Sequence, residues 1–373
     1  MKMDMDGTAT VVKHTGSHYL LSMLPEWNLF PAVLRGSMRL GGSGATNPVA
    51  VGDIVEFSAD VKTVAERGTA GVPGTAAEGD ASWLSGITAE NPAVITKVLP
   101  RRNYMIRKSV NLSRQAHIIA SNVDCAFIIV TLAFPEVKLQ LLDRILVTCE
   151  IYGIHPVIVL NKCDILDEFP EEFGPVRRRF REIYEAAGYR TVEVSARTGA
   201  GIEELKAAWR QQNMPGQTAQ CPHPDASLPP EAGQPEFRKA PVILFSGVSG
   251  VGKSSLIKML DPKLNPRTAE ISEAHLQGRH TTTFYEMYPL CDGEAFVIDT
   301  PGIRGFGLVD VGAEEIACYF PEMLRLSEDC RFTPCTHVHE PGCAVKKALE
   351  DGRMSQERYA SYMGMLDEYK KYR

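Results

Sequence analysis

Along the first hundred residues apolar and polar positions alternate in short runs. Tyr19-Leu20-Leu21, Val33-Leu34-Arg35 and Val51-Gly52-Asp53-Ile54-Val55-Glu56-Phe57 are separated by glycine turns, the pattern of short strands with one face buried. Their spacing predicts a small β-barrel over residues 1–105, of the oligonucleotide-binding (OB-like) kind. Within it, residues 60–90 turn rich in Gly, Ala and Thr and lose periodicity, which reads as a long inserted loop.

From residue 106 the pattern changes. Cys125-Ala126-Phe127-Ile128-Ile129-Val130-Thr131, Pro156-Val157-Ile158-Val159-Leu160, Arg190-Thr191-Val192-Glu193-Val194, Val242-Ile243-Leu244-Phe245 and Glu294-Ala295-Phe296-Val297-Ile298 are strand candidates, while residues 139–152 and 254–260 have helical spacing. Strands alternating with helices imply a parallel sheet covered by helices, so residues 106–310 read as an α/β domain. Residues 211–240, rich in proline, read as an exposed tether across it. Residues 311–373 form a smaller unit whose last helix carries Tyr359, Tyr362, Leu366 and Tyr369 on one stripe, a packing face.

A length of 373 residues with 44% hydrophobic and 23% charged residues suits two or three ordinary domains. The net charge of -6 excludes wholesale coating of nucleic acid and leaves any RNA contact to local patches; no DNA partner is expected. One such patch spans residues 91–123, which hold no acid and carry Lys97, Arg101, Arg102, Arg107, Lys108 and Arg114 with Tyr104 among them. A grip on RNA phosphates and a solvated strand pair both fit that composition. The polar N-terminus has no signal-peptide core, and the longest apolar stretch, near residues 125–134, is far short of a membrane span. The expectation is a cytoplasmic monomer without membrane contact. Nine cysteines, six of them isolated (Cys125, Cys149, Cys163, Cys221, Cys291 and Cys318), do not make a disulfide framework; burial is the default for the isolated ones.

The chemistry centres on Gly247-Val248-Ser249-Gly250-Val251-Gly252-Lys253-Ser254, a full G-x-x-x-x-G-K-S between a strand and a helix. Amides from Gly250 to Ser254 would cradle the α- and β-phosphates, Lys253 would reach the β- and γ-oxygens, and Ser254 would bind Mg²⁺, with Ser255 next in the GTP-binding set. Two further loops sit at strand ends, Asn161-Lys162-Cys163-Asp164 and Ser195-Ala196-Arg197. Asp164 there accepts both the N1 hydrogen and the exocyclic amine of guanine, a donor pair that adenine lacks. Asn161 would tie the loops together, the Lys162 stem would pack on the base plane, and the Ser195-Ala196 backbone would meet the guanine oxygen. The GTP-binding set is therefore residues 247–255 with Asn161, Lys162, Asp164, Ser195, Ala196 and Gly302. In Asp299-Thr300-Pro301-Gly302, Asp299 would hold Mg²⁺ through water and Gly302 would sense the γ-phosphate; Thr282, or its neighbour Thr281, would complete the Mg²⁺ shell. Cys330, Cys335, His337 and Cys343 make a Cys₃His set suited to one closed structural Zn²⁺ site, with His339 as the alternative to His337.

The order of these loops is unusual, since ordinary GTPases begin with the phosphate loop and end with the base-reading loops. Here Asn161 to Asp164 and Ser195 to Arg197 precede Gly247, a circular permutation. That order, the N-terminal barrel, Gly278-Arg279-His280-Thr281-Thr282-Thr283 and Asp299-Thr300-Pro301-Gly302 together resemble the RsgA/YjeQ family of bacterial GTPases dependent on the small ribosomal subunit. The resemblance implies a multidomain α/β protein: an OB-like β-barrel, a circularly permuted P-loop GTPase domain and a C-terminal zinc-binding helical segment. It also implies that the chain binds the small ribosomal subunit and its rRNA, hydrolyses GTP to GDP and phosphate late in that subunit's maturation, and uses Cys335 and His337 in a zinc site. Ile303 stands where many GTPases place a water-orienting glutamine, so slow hydrolysis in isolation is expected, and His280 resembles the family's switch histidine proposed for that task. The competing readings are an RNA-binding assembly module with a structural nucleotide, and a P-loop kinase or ATPase.

Overall fold

The computed structural model describes residues 2–36, 48–62, 82–108, 116–210, 240–264, 285–300 and 311–371. His280, Thr281, Thr282, Gly302, Ile303, the tether and residues 63–81 of the expected inserted loop lie outside them.

Five strands form the N-terminal unit: β1 (Lys2–Thr15), β2 (His18–Ser22), β3 (Phe30–Leu34), β4 (Ile54–Lys62) and β5 (Ala93–Val98). They lie in the order β1-β2-β3-β5-β4, and β4 pairs back on β1, so the barrel closes. Closure works because β1 is long. Residues 2–10 pair with β4 and residues 10–15 with β2, with a register shift between Val11 and Lys13. Alternating inward positions put Val11, Leu21, Phe30, Phe57 and Ile95 in one core, with the Phe30 and Phe57 rings 5.0 Å apart. The expected inserted loop falls between β4 and β5, which end and begin at Lys62 and Ala93. β4 continues to Lys62, and the 3-10 turn Ser82–Gly86 returns to the barrel, where Trp83 stacks on Phe57 at 6.3 Å.

A hairpin of β6 (Tyr104–Lys108) and β7 (Ala116–Ser121) joins the barrel to the α/β unit. Its anchor is Asp53, wholly buried, which accepts from Arg101 Nε and Nη2 at 2.6 and 2.7 Å and from Ser121 Oγ at 2.6 Å. Arg102 in turn pairs with Asp124, Lys97 pairs with Glu56 at 3.3 Å, and the Tyr104 ring lies 4.7 Å from that of Tyr152. Three cations of the basic stretch are thus engaged by acids of this same chain.

The α/β unit runs β8 (Cys125–Val130), α1 (Leu139–Ile151), β9 (His155–Leu160), α2 (Cys163–Glu168), α3 (Pro170–Ala187), β10 (Arg190–Glu193), α4 (Ile202–Arg210), β11 (Val242–Ser246), α5 (Lys253–Leu260), β12 (Glu286–Leu290) and β13 (Ala295–Asp299). Its strands lie in the order β10-β9-β8-β11-β13-β12. β11, late in the chain, enters the middle of the sheet between β8 and β13, parallel to both. β12 is antiparallel, and its outer edge meets β1 at Lys13↔Glu286, where the side chains pair at 2.9 Å. Barrel and α/β unit therefore share one eleven-stranded sheet.

The C-terminal unit contains α6 (Pro321–Ser327), α7 (Ala344–Glu350) and α8 (Gln356–Lys371). It is fastened by Arg358 of α8, 1% exposed, which bonds Asp143 of α1 at 2.8 Å and Glu322 of α6 at 2.7 and 3.1 Å. The guanidinium lies over the Phe320 ring at 4.6 Å and the Tyr189 ring at 5.4 Å. A buried cation with both charge partners and aromatic faces is satisfied, whereas one missing partner would be costly. The α8 stripe packs as expected, since Tyr362 and Leu366 are buried.

Candidate functional site

The sequence-predicted loops converge at the carboxyl ends of the parallel strands. β9 ends at Leu160, and Asn161 lies buried at its tip. Its Nδ2 donates to the Val251 carbonyl at 2.8 Å, while its Oδ1 accepts from the Ala196 amide at 3.1 Å. One carboxamide thereby links the N-K-x-D, S-A-R and phosphate loops. Lys162 adds a second link, with Nζ 2.8 Å from the Gly250 carbonyl and also close to that of Phe134.

Asp164 opens α2 and is held from two sides. Ser195 Oγ, on the buried side, donates to Oδ1 at 2.6 Å, and Arg197 Nε lies 2.7 Å from Oδ2. Ser195 itself accepts from the Thr198 and Arg197 amides at 3.1 and 3.3 Å, so the loop is a closed turn. Arg197 is the one contact here that reading the sequence did not single out. Its spacing from Asp164 is not regular along the chain, and only the parallel pairing of β9 with β10 brings the two together.

The phosphate loop follows β11. At Gly252 the backbone has φ 95°, and a Cβ there would stand 2.4 Å from Asn161 Nδ2, so the position requires glycine on two counts. Lys253 is the first residue of α5 and folds back over the loop, donating to the Gly247 and Val248 carbonyls at 2.8 and 3.1 Å. Burial lowers its pKa, against the pull of Asp299. Ser254 is half-buried and Ser255 exposed.

Asp299 stands at the end of β13, beside the phosphate loop. Its Oδ1 is buried without a hydrogen-bond partner among the described residues, and burial lifts the carboxyl to about 6 against the attraction of Lys253. An orphaned buried carboxylate oxygen beside a phosphate loop suits a hydrated cation or its water. Thr300 next to it bonds the Phe245 carbonyl at 2.8 Å, which fixes β13 against β11.

A second constellation lies in the C-terminal unit. The ligand atoms of Cys330, Cys335, His337 and Cys343 all lie within 4.8 Å of one another, a group that could hold a metal ion. His337 turns Nδ1 inward, 3.7 Å from Cys330 Sγ and 3.4 Å from Cys343 Sγ. Amides of Ala344 and Lys346 point at two of the sulfurs, at 3.4 and 3.5 Å. Behind the loop, Tyr359 and Tyr362 hydroxyls donate to the His337 and Thr336 carbonyls at 2.8 and 2.6 Å. His339 is not part of the group.

Among the described residues no helix is long and apolar enough to cross a membrane. The family model of the RsgA GTPase matches residues 98–216 and 232–309. The small ribosomal subunit biogenesis GTPase RsgA of Flavobacterium psychrophilum is 39% identical over 360 residues, 96% of this chain and 92% of the relative. The protein of the same name from Christiangramia forsetii is 39% identical over 358 residues, 96% and 95% of the two chains. Among solved structures, YjeQ from Thermotoga maritima superposes with a TM-score of 0.65 at 26% identity, covering 98% of this chain and 99% of that one. YloQ, described as a circularly permuted GTPase, superposes with a TM-score of 0.62 at 22% identity over 99% and 96%.

Proposed function

This chain belongs to the RsgA GTPase family, and from that premise we infer that it hydrolyses GTP in the biogenesis of the small ribosomal subunit. The observation that carries the reading is the convergence of the Asn161, Ser195 and Gly247 loops on one sheet end, tied by a single carboxamide, despite their permuted order.

GTP enters with its phosphates on residues 247–255, where loop amides and Lys253 replace water around the anion. The Lys253 ammonium must leave the Gly247 and Val248 carbonyls to meet the phosphates, and its loss of solvation makes that exchange favourable. Asn161 and Lys162 hold the base-reading loops in register with the phosphate loop, and Asp164 selects guanine by accepting two donors. Ser254, Thr282 and Asp299 would hold Mg²⁺ with the nucleotide, and that ion supplies neutralisation of charge on the β- and γ-phosphates. Gly302 senses the γ-phosphate and His280 positions the attacking water on the particle; Ile303 cannot orient water. Isolated turnover is therefore slow.

Cys330, Cys335, His337 and Cys343 would hold one structural Zn²⁺, which would cross-link the loop: His337 Nδ1 lies 3.7 Å from Cys330 Sγ and 3.4 Å from Cys343 Sγ, and those two sulfurs are 4.0 Å apart. The zinc unit and the barrel contact rRNA of the small subunit, and the protein works as a cytoplasmic monomer without DNA.

The test is phosphate release from GTP by the purified protein, alone and with small subunits, large subunits or bulk RNA. Strong stimulation by small subunits alone is expected. Turnover equally fast without any particle would reject the dependence on a partner, and tight GTP binding without turnover would favour an assembly module with a structural nucleotide.

A further inference from the structure

Two sides of Asp164 are unequal. Ser195, which holds Oδ1 at 2.6 Å, is wholly buried, whereas the Arg197 side chain, which holds Oδ2 at 2.7 Å, is 66% exposed. A base arrives from solvent, so it meets the carboxylate on the side that Arg197 covers. Guanine presents two donors to the same carboxylate edge, and both oxygens are already engaged. Arg197 has somewhere else to go: its Nη2 lies 2.6 Å from Glu168 Oε1. Asp164 and Glu168 stand one helical turn apart on α2, so the guanidinium spans two acids and can keep one while yielding the other.

We propose that Arg197 is a displaceable guard on the base-reading carboxylate, one that guanine must move aside onto Glu168. The inference rests on the reading of Asp164 as the base selector and adds a residue that sets how tightly the base is held. The guard competes with the base and never touches the phosphates, so it loosens GDP and GTP by the same factor. A nucleotide held this loosely leaves without an exchange factor, which suits a protein that must restart after each particle.

Magnitude follows from the exposure of the pair. Exposed ion pairs are weak, and one bridging two carboxylates should change affinity by about three- to tenfold. The experiment titrates GDP, GTP and guanosine into the full-length protein and its Arg197→Ala and Arg197→Gln variants by calorimetry. Both variants should bind GDP and GTP about three- to tenfold more tightly, by equal factors, with slower GDP release. Guanosine carries no phosphate, so salt acts on it through the guard alone. Its affinity for the unsubstituted protein should rise when salt is increased from about 0.05 to about 0.5 M, and stay flat in Arg197→Ala. Unchanged or weaker GDP binding in both variants overturns the proposal, because Arg197 is then a bystander or a partner of the base. Asp164→Asn tests the underlying reading separately: it should lose GDP and gain xanthosine diphosphate. If it binds GDP as tightly as the unsubstituted protein, the base selector lies elsewhere, whatever Arg197 does.

Discussion

Asn161 donates to the carbonyl of Val251, 90 residues later in the chain, at 2.8 Å, and the same carboxamide accepts from the Ala196 amide. Removing it orphans a buried carbonyl and a part-buried amide, the buried one at about 1–3 kcal/mol. Asn161→Ala should therefore weaken GDP binding by about ten- to a hundredfold and lower global stability by a few kcal/mol. Calorimetric titration and denaturant unfolding check both; a stability loss with unchanged affinity would separate the carboxamide from the nucleotide site.

His280 is the residue assigned to water positioning. His280→Ala should leave GTP affinity intact and cut small-subunit-stimulated turnover by about 10²- to 10⁴-fold, the range for losing one positioned acid-base group. Single-turnover phosphate release on the particle is the measurement. Full stimulated turnover in the variant removes His280 from the mechanism.

The Cys₃His group should carry one zinc per chain, measured by elemental analysis of the purified protein. Cys343→Ser should abolish that stoichiometry and loosen the loop that Tyr359 and Tyr362 hold by its carbonyls. Metal binding of this kind is folding free energy, so a lower melting temperature and protease cleavage near residues 330–343 should follow. Full metal content in Cys343→Ser would show that other ligands hold the ion.

Glu150 lies beside the Arg358 cluster with Asp143 and Glu322 nearby. Burial raises its pKa from 4.5 to about 7, opposed by the positive charge of Arg358. A carboxyl raised in the folded state is protonated there while the unfolded chain has already ionised. Its contribution is therefore fully present below pH about 4.5 and lost as pH rises through about 7. That loss amounts to about 3 kcal/mol. Glu150→Gln should remove this pH dependence and be the more stable protein at pH about 8, which urea titrations at both ends of the range will show. Parallel curves for the two proteins would rule out Glu150 as the source.

The site loops were legible in the sequence because each is a local signal: an apolar run followed by residues whose chemistry fits a strand end. Asn161, Asp164, Ser195 and Lys253 all stand where that rule puts them. Long-range pairings were not legible. Arg101 and Arg102 belonged to a stretch without acids because Asp124 lies just beyond its end and Asp53 far before its start, and charge summed along a chain says nothing about pairing across space. Nothing along the chain marks Arg358 as buried; only the packing of α8 on α1 takes it out of water.

The meeting of β1 with β12 also bears on how the protein can be dissected. β12 is bonded on one side to β13 and on the other, at Glu286, to the barrel. Cutting the chain between barrel and α/β unit would uncover the outer border of β12, next to the Asp299 strand, and leave Glu286 without Lys13. Naked strand borders recruit other strands, so a trimmed GTPase fragment would tend to self-associate through that border. The barrel is then more than an attached reader of RNA: it is the cover that keeps the catalytic sheet a private structure.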